Sequence, residues 1–179
     1  MNNLRLAATL ALSMAGVSAH AFPIADAGTE GLVVIVANTG HVFATYEGNS
    51  ASYSNDLLLN GNFIFNNHNT PEGTVADLGE FTAGTELKFE LFVHDTNTTF
   101  SIGPAARNPD GHEHARVQAN WAPGATLVSF EDLTGGPYDY NDLSFSFTNT
   151  RSAVPEAGSV ALLAAGLGLV AALGRRRKS

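Results

Sequence analysis

Four carboxylates and one carboxamide are crowded into a short segment of the sequence, FEDLTGGPYDYNDLSFSF, at residues 130–147. The segment contains no Lys or Arg, so nothing within it offsets the repulsion between its negative charges. All five side chains offer oxygen, the ligand that Ca²⁺ takes in flexible shells of about six to eight atoms. The sequence therefore predicts a calcium site with the ligands Glu131, Asp132, Asp139, Asn141 and Asp142.

This acidic segment also has two alternatives to a calcium site. A run of charges is most often solvated surface, and this one could also pair with Arg107 or Arg116. Another metal could replace calcium, although Mg²⁺ demands a stricter octahedral shell and the absence of cysteine disfavours structural zinc. The segment is not an EF-hand, which has its own ligand spacing between two helices.

Asp110, His112 and His114 alternate in the segment RNPDGHEHARV. On an extended chain this spacing points all three side chains to one side. Two histidines and a carboxylate can form a facial metal site for hydrolysis or oxygen chemistry. The trio could equally lie in a polar loop, or Asp110 alone could reach the acidic segment and complete the calcium shell.

We expect no enzyme activity, because the sequence lacks the common catalytic motifs. It has no G-x-S-x-G turn, no P-loop, no H-E-x-x-H and no cysteine. A hydrolase acting on polysaccharide is the alternative, with Glu131 and Asp132 as a pair of acids. A sugar-stacking surface could be built from the aromatic residues, although in β-sandwiches these are usually buried. They are Tyr46, Tyr53, Trp121, Tyr138 and Tyr140.

The sequence around these residues predicts β-strands separated by turns. Apolar and β-branched runs surround Asn38-Thr39-Gly40 and Asn60-Gly61, which are hairpin signals. Apolar residues recur at every second position from Leu87 to Val93. Eight or nine short strands without a helical period predict an all-β domain, a two-sheet β-sandwich or jelly roll.

The acidic segment is expected to form a loop between the last two strands of this domain. Those strands are ATLVSFED and NDLSFSFTNT, and Gly135-Gly136-Pro137 supplies a sharp turn between them. The turn folds Glu131 and Asp132 back toward Asp139. Residues 149–154, NTRSAV, are the expected linker to the C-terminal segment.

Composition limits the partners of the domain. Between residues 22 and 155, sixteen Asp and Glu stand against four Lys and Arg, a formal charge of −12. Such a surface repels phosphate backbones, so we expect no nucleic-acid partner. There is no cysteine for a disulfide, and about 130 residues suffice for one domain.

The N terminus has the layout of a secretory signal peptide, residues 1–21. One charge, Arg5, precedes an apolar run that ends at Ala19-His20-Ala21, with cleavage expected after Ala21. A short buried helix is the alternative. A cleaved signal peptide implies export by the Sec machinery, and therefore an exported protein.

The C terminus predicts a membrane-spanning helix at residues 157–174. This run is apolar and uncharged, and its helical length of roughly 27 Å is just short of the hydrocarbon core. A basic tail follows, so the preceding domain is expected outside the membrane. The tail is Arg175, Arg176, Arg177 and Lys178. A permanent single-pass anchor is one interpretation.

A second interpretation rests on resemblance. Pro155-Glu156, the Ala/Gly/Leu-rich run and the terminal Arg cluster resemble the PEP-CTERM sorting signal of Gram-negative bacteria. The resemblance implies an inner-membrane-anchored intermediate that an exosortase, a membrane transpeptidase, cleaves near the motif. Release or attachment at the cell surface would follow. Ala157 stands where the family usually has a second proline, which affects the expected cleavage position.

The acidic segment also resembles a bacterial surface domain of unknown function, often found in PEP-CTERM proteins, with an F-E-D-L and D-Y-N-D signature. The resemblance covers residues 85–147 well and implies an extracellular all-β domain with a calcium site at the five residues named above. It implies no reaction.

These observations predict three parts: a signal peptide at 1–21, a β-sandwich at 22–151 and a sorting segment at 152–179. We expect a cell-surface or extracellular-matrix protein with a structural Ca²⁺ ion, processed by an exosortase and in contact with envelope or matrix polysaccharide. A calcium-dependent carbohydrate-binding or adhesion module is the alternative function.

Overall fold

The computed structural model describes residues 21–153, and these contain twelve strands and one short 3₁₀ helix at Ala105–Arg107. The strands are β1 (Val33–Val36), β2 (Gly40–Gly48), β3 (Asn55–Leu59), β4 (Asn62–Asn66), β5 (Val75–Phe81), β6 (Glu86–Leu87), β7 (Phe89–Val93), β8 (Thr98–Ser101), β9 (Ala115–Ala122), β10 (Ala125–Phe130), β11 (Leu143–Thr148) and β12 (Thr150–Ala153). The predicted all-β class is confirmed.

The strands form three antiparallel sheets where two were predicted. The sheet orders are β5-β2-β11-β10-β9, β4-β3-β7-β8 and β12-β1-β6. The third sheet arises because two strand paths bend at one residue and change sheet. Lys88 separates β6 from β7, and Asn149, with a φ of 56°, separates β11 from β12. Such bends also raise the strand number above the predicted eight or nine.

The predicted linker at residues 149–154 is wrong for most of its length. Thr150–Ala153 form β12, which pairs with β1 from Val36↔Thr150 to Val33↔Ala153. The short polar sequence TRSA lacks the alternating apolar pattern of a buried strand, and pairing along an exposed sheet edge does not require one.

The core lies between the four-stranded and five-stranded sheets. The rings of Phe89 on β7 and Phe147 on β11 stack with centroids 4.0 Å apart, and Phe65 on β4 stacks on Phe145 at 6.0 Å. These side chains come from the alternating apolar positions, which a strand points to one face. The two sheets are thus joined directly at β11, the strand that follows the acidic segment.

The residues just before β1 cover the opposite face of β10 and β11. Ala25 is buried there and donates its N–H to the hydroxyl of Ser129, which bonds to Ser144. Val117 donates its N–H to the carbonyl of Thr29. Because both faces are covered, every residue of β10 is buried, and the start of the acidic segment is held on a rigid support.

The predicted signal peptide, apart from Ala21, lies outside the described residues, as do Ala19 and the predicted membrane helix at 157–174. Within residues 21–153, no helix has the length and apolar character needed to cross a membrane.

Candidate metal site

The ends of β10 and β11 bring the two limbs of the acidic segment together. The strands pair in register up to Phe130↔Leu143, and the N–H of Asp142 donates to the carbonyl of Phe130 at 3.1 Å. Glu131 directly follows β10 and Asp142 directly precedes β11, with residues 132–141 between them. The predicted loop between these two strands is confirmed.

Three carboxylates converge at this strand end. Glu131, Asp139 and Asp142 each offer an oxygen, and these atoms all lie within 4.8 Å of one another. Glu131 and Asp142 are buried, with 1% and 8% of their surfaces exposed, whereas Asp139 is exposed. Within residues 21–153, no second group of three metal-ligating side chains lies so close together. The geometry of this group could hold a metal ion.

Backbone N–H groups fix the Glu131 carboxylate in place. One oxygen accepts from Leu133 at 3.0 Å, and the other accepts from Asp139 at 3.1 Å and Tyr140 at 3.3 Å. Tyr140 adopts a φ of 56°, which bends the chain around this carboxylate. The loop is therefore shaped around Glu131.

Asp132 and Asp142 extend the buried negative charge. Asp142 Oδ2 accepts from the N–H of Asp132 at 2.7 Å, and Asp132 Oδ2 accepts from the side-chain amide of Asn55 at 2.7 Å. Asn55 is fully buried at the start of β3, and its own amide oxygen has no hydrogen-bond partner. A buried amide oxygen without a partner is costly, which makes it a candidate ligand beside the cluster.

The electrostatics of this cluster disfavour ionised carboxylates unless a cation binds there. Burial raises the pKa of Asp142 to about 8, and the charges of Asp132 and Glu131 add to the effect. Burial also raises the pKa of Glu131, where the charge of Asp139 contributes, and that of Asp132. Three carboxyl groups that resist ionisation in one place would ionise readily around a cation.

Arg107 and Arg116 both pair away from this cluster. Arg107 pairs with Glu86, and Arg116 pairs with Glu30 at 2.7 Å. Arg116 also lies over the Tyr140 ring at 4.3 Å from its centroid, with its charge directed to Glu30. The alternative of a solvated turn paired with arginine does not fit, because Glu131 and the other buried carboxylates are shielded from solvent and both arginines are engaged elsewhere.

Asp110 reaches the acidic segment through His114. Its carboxylate lies 2.9 Å from His114 Nε2, and His114 Nδ1 donates to the Glu131 carbonyl at 2.9 Å. His114 is fully buried and stacks on Phe100 with centroids 3.6 Å apart. Burial opposes ionisation of Asp110, but hydrogen bonds from His114 and the His112 backbone leave its pKa lowered. Asp110 thus positions the loop indirectly, through His114 and the Glu131 carbonyl. It lies outside the three-carboxylate group.

The facial trio of Asp110, His112 and His114 is not assembled. His112 is exposed and directs its ring toward Tyr138, with centroids 5.3 Å apart, while His114 is buried against Phe100. The predicted trio requires an extended segment, but a turn with a positive φ at Gly111 precedes these histidines.

Asn141 belongs to the rim of the site. Its amide oxygen accepts from the Ser50 hydroxyl at 2.7 Å, and its amide nitrogen donates to Asp139 Oδ2 at 2.7 Å. Asn141 therefore orients Asp139. The ligand role of all six predicted residues, Asp110, Glu131, Asp132, Asp139, Asn141 and Asp142, stays a prediction.

Residues from the β2–β3 connection complete the surroundings, and of these only Tyr53 was a candidate from the sequence. A cleft of about 270 Å³ opens beside the cluster. Its walls are Ser50, Ser52, Tyr53, Asp132, Leu133 and Asp142. Of the remaining aromatic candidates, Tyr46 and Tyr140 are buried and Trp121 lies partly exposed on β9.

Comparison with known proteins concerns the C-terminal end. The family model described as the PEP-CTERM protein-sorting motif matches residues 153–178. No curated protein matches the chain. The matched residues include Pro155, Glu156, Arg175, Arg176 and Arg177, which lie outside the described structure. The resemblance to this sorting signal is confirmed, and the motif implies a membrane-anchored precursor, processing by an exosortase and export to the cell surface. The chain thus carries a PEP-CTERM protein-sorting motif immediately behind an all-β domain.

Proposed function

We propose that the chain is a structural protein of the cell envelope or extracellular matrix, sorted by an exosortase, whose all-β domain binds a calcium ion at residues 131–142. One observation carries the calcium proposal. Two buried carboxylates, Glu131 and Asp142, converge with Asp139 where no arginine or lysine pairs with them among the described residues. Sorting is carried by the motif at 153–178.

The ligand set favours calcium over other cations. Every nearby side chain that could bind offers oxygen, which suits hard cations and disfavours zinc. The three converging groups are spread over a loop, and a loop can supply the flexible shell of about six to eight oxygens that calcium takes. Asp132, the unpartnered oxygen of Asn55 and water are the further ligands we propose.

The ion would act on stability rather than on a reaction. Bound calcium offsets the repulsion among the three converging carboxylates and ties β10, β11 and β3 together. At a hundredfold excess over the dissociation constant, it would stabilise the fold by roughly 2.7 kcal/mol. We propose no enzymatic activity.

The test is a thermal melt of the full-length chain in detergent, first in chelator and then across a calcium titration. We expect a saturable rise in melting temperature with calcium and a much smaller rise with magnesium. Terbium offers a second readout, because Tyr140 donates its N–H to Glu131 and would sensitise emission from an ion bound there. Unchanged melting with calcium, together with no terbium emission, would refute the calcium site.

A carbohydrate-binding or adhesion module is the second candidate, favoured by the cleft beside the cluster. The cleft joins an aromatic side chain, Tyr53, to the hydroxyls of Ser50 and Ser52 and to the carboxylates of Asp132 and Asp142. A calcium ion exposed there could bind sugar hydroxyls while the tyrosine packs against the ring. A glycan array with calcium and with chelator tests this, with Trp121→Ala as the control for Tyr53→Ala.

A further inference from the structure

The sorting motif follows the last strand of the domain with almost no intervening chain. The family match begins at residue 153, and Ala153 is also the last residue of β12, paired with Val33. Only Val154 separates Ala153 from Pro155. Two residues reach at most about 7 Å. The motif therefore begins where the paired structure of the domain ends.

An enzyme that cleaves near the motif must enclose several residues of extended chain. Strand pairing and enzyme binding compete for the same backbone N–H and C=O groups, because an extended peptide is commonly bound through them. β12 cannot serve both partners at once. This competition rests on the exosortase processing proposed above.

β12 is built so that it can leave β1. It lies at the edge of its sheet, where it pairs with β1 alone, and it also lies against β9 and β10. Arg151 is exposed, and Ser152 and Ala153 are only partly buried, so none of the three is fixed in the core. Local opening is easiest where few buried contacts are lost.

Detachment of β12 from β1 is expected to stop at Asn149, which several hydrogen bonds hold in place. Its carbonyl accepts from the N–H of Ala37 at 2.8 Å, and its side chain exchanges two hydrogen bonds with the backbone of Asn38, at 3.1 and 2.7 Å. Thr150 is buried and donates its hydroxyl to the Phe147 carbonyl at 2.7 Å. Release up to Thr150 lengthens the tether to Pro155 from about 7 to about 17 Å.

We infer that Arg151, Ser152 and Ala153 leave β1 during sorting and form part of the extended segment that the exosortase binds. The folded domain thereby controls access to its own sorting motif, with Asn149 and Thr150 as the point where opening stops.

The test locks β12 to β1 by a disulfide. Val33 lies opposite Ala153, the pair nearest the motif, and neither side chain belongs to the core cluster. Opposite residues of an antiparallel pair have Cα atoms about 4.5–5.5 Å apart, a separation that a disulfide accepts. The chain has no cysteine of its own, so the double variant Val33→Cys, Ala153→Cys can form only this bridge within one molecule.

The full chain is expressed in a host that has an exosortase, and processing is followed by intact mass. We expect the wild type and both single variants to be processed, and the oxidised double variant to remain at precursor mass. Inserting about ten Gly and Ser residues after Ala153 in the locked variant should restore processing, because it adds roughly 17 Å of reach.

Two results would overturn the inference. If the locked variant, shown to be oxidised, is processed at the wild-type rate, cleavage does not require β12 to open. If the linker does not restore processing, the obstacle is not access to the motif. A wild type that stays at precursor mass would instead refute exosortase processing itself, and the inference with it.

Discussion

Glu131 and Asp142 hold carboxylate oxygens within 4.8 Å of each other at the paired ends of β10 and β11, in a buried position. Folding brings these like charges together, and no positive side chain accompanies them among the described residues. The protonation of these two carboxylates and their response to cations are therefore the most direct tests of cation binding at this strand end.

Without divalent cations, we expect the free energy of unfolding to fall as the pH rises from about 4 to about 8. Burial raises the pKa of Asp142 from 3.8 to about 8, so across this range the folded protein keeps a proton that the unfolded chain has released. Urea unfolding in chelator, repeated along the pH range, measures the slope. Asp142→Asn should flatten it, and an equal slope in the variant would contradict this assignment.

The stabilisation that calcium provides should increase with pH, opposite to the pH dependence of the calcium-free protein. A cation competes with the proton for Asp142, so calcium affinity should increase until the pH exceeds about 8. We expect the calcium-induced rise in melting temperature to be larger at alkaline than at acidic pH. A rise that is independent of pH would show that the ion binds away from Asp142.

Asp139→Asn should weaken calcium binding while leaving the calcium-free protein almost unchanged. Asp139 is exposed, so without calcium the change in unfolding free energy should stay within about 0.5 kcal/mol. Loss of one charged ligand should raise the dissociation constant for calcium on the order of tenfold. Calorimetric titration measures it, and Asp26→Asn, at another exposed aspartate, is the matched control. Equal affinities in the two variants would exclude Asp139 as a ligand.

Asn55→Ala should destabilise the domain by about 1–3 kcal/mol in chelator, because Asp132 loses its buried amide donor. Asn62→Ala is the control, since Asn62 also begins a strand but is exposed. Denaturant unfolding compares the two. If both variants lose a similarly small amount of unfolding free energy, the contact between Asn55 and Asp132 contributes little to stability.

Gly48→Ala should displace the segment that precedes β1. A Cβ atom at position 48 would lie 2.6 Å from Phe22 Cβ, and Gly48 has a φ of 134°. We expect the free energy of unfolding to fall by about 1–3 kcal/mol. In a Phe22→Gly background the clash with Phe22 is gone, and the backbone strain and the flexible Glu72 carboxylate at 3.0 Å remain, so the cost should be smaller. Equal costs in both backgrounds would exclude the contact with Phe22.

The sequence allowed prediction of what depends on local pattern. Alternation from Leu87 to Val93 identified an extended segment, which the structure divides into β6 and β7. The crowding of carboxylates identified the loop that the ends of β10 and β11 bring together. The side chain that contacts Asp132 could not be predicted, because Asn55 lies 77 positions away and an asparagine at a strand start is common.

The errors have related physical causes. The third sheet depends on single-residue bends at Lys88 and Asn149, and the period-two pattern gives no indication of where a strand changes partner. β12 was not predicted because its sequence, TRSA, has no alternating apolar pattern. An edge strand is held by backbone pairing and needs few apolar side chains. The contact of Asp110 with His114 depends on the turn at Gly111, which breaks the expected extended geometry.

The antiparallel pairing of β12 with β1 also determines how the domain responds to mechanical force. Tension applied through the C-terminal tether acts first on Ala153 and its pair with Val33, because Ala153 is the last residue of β12. Asn149 and Thr150 then take the load through their clustered hydrogen bonds. While the precursor is anchored, β12 would detach from β1 under tension and pair with it again when the tension ends. The core and the acidic cluster would then bear less of the applied force.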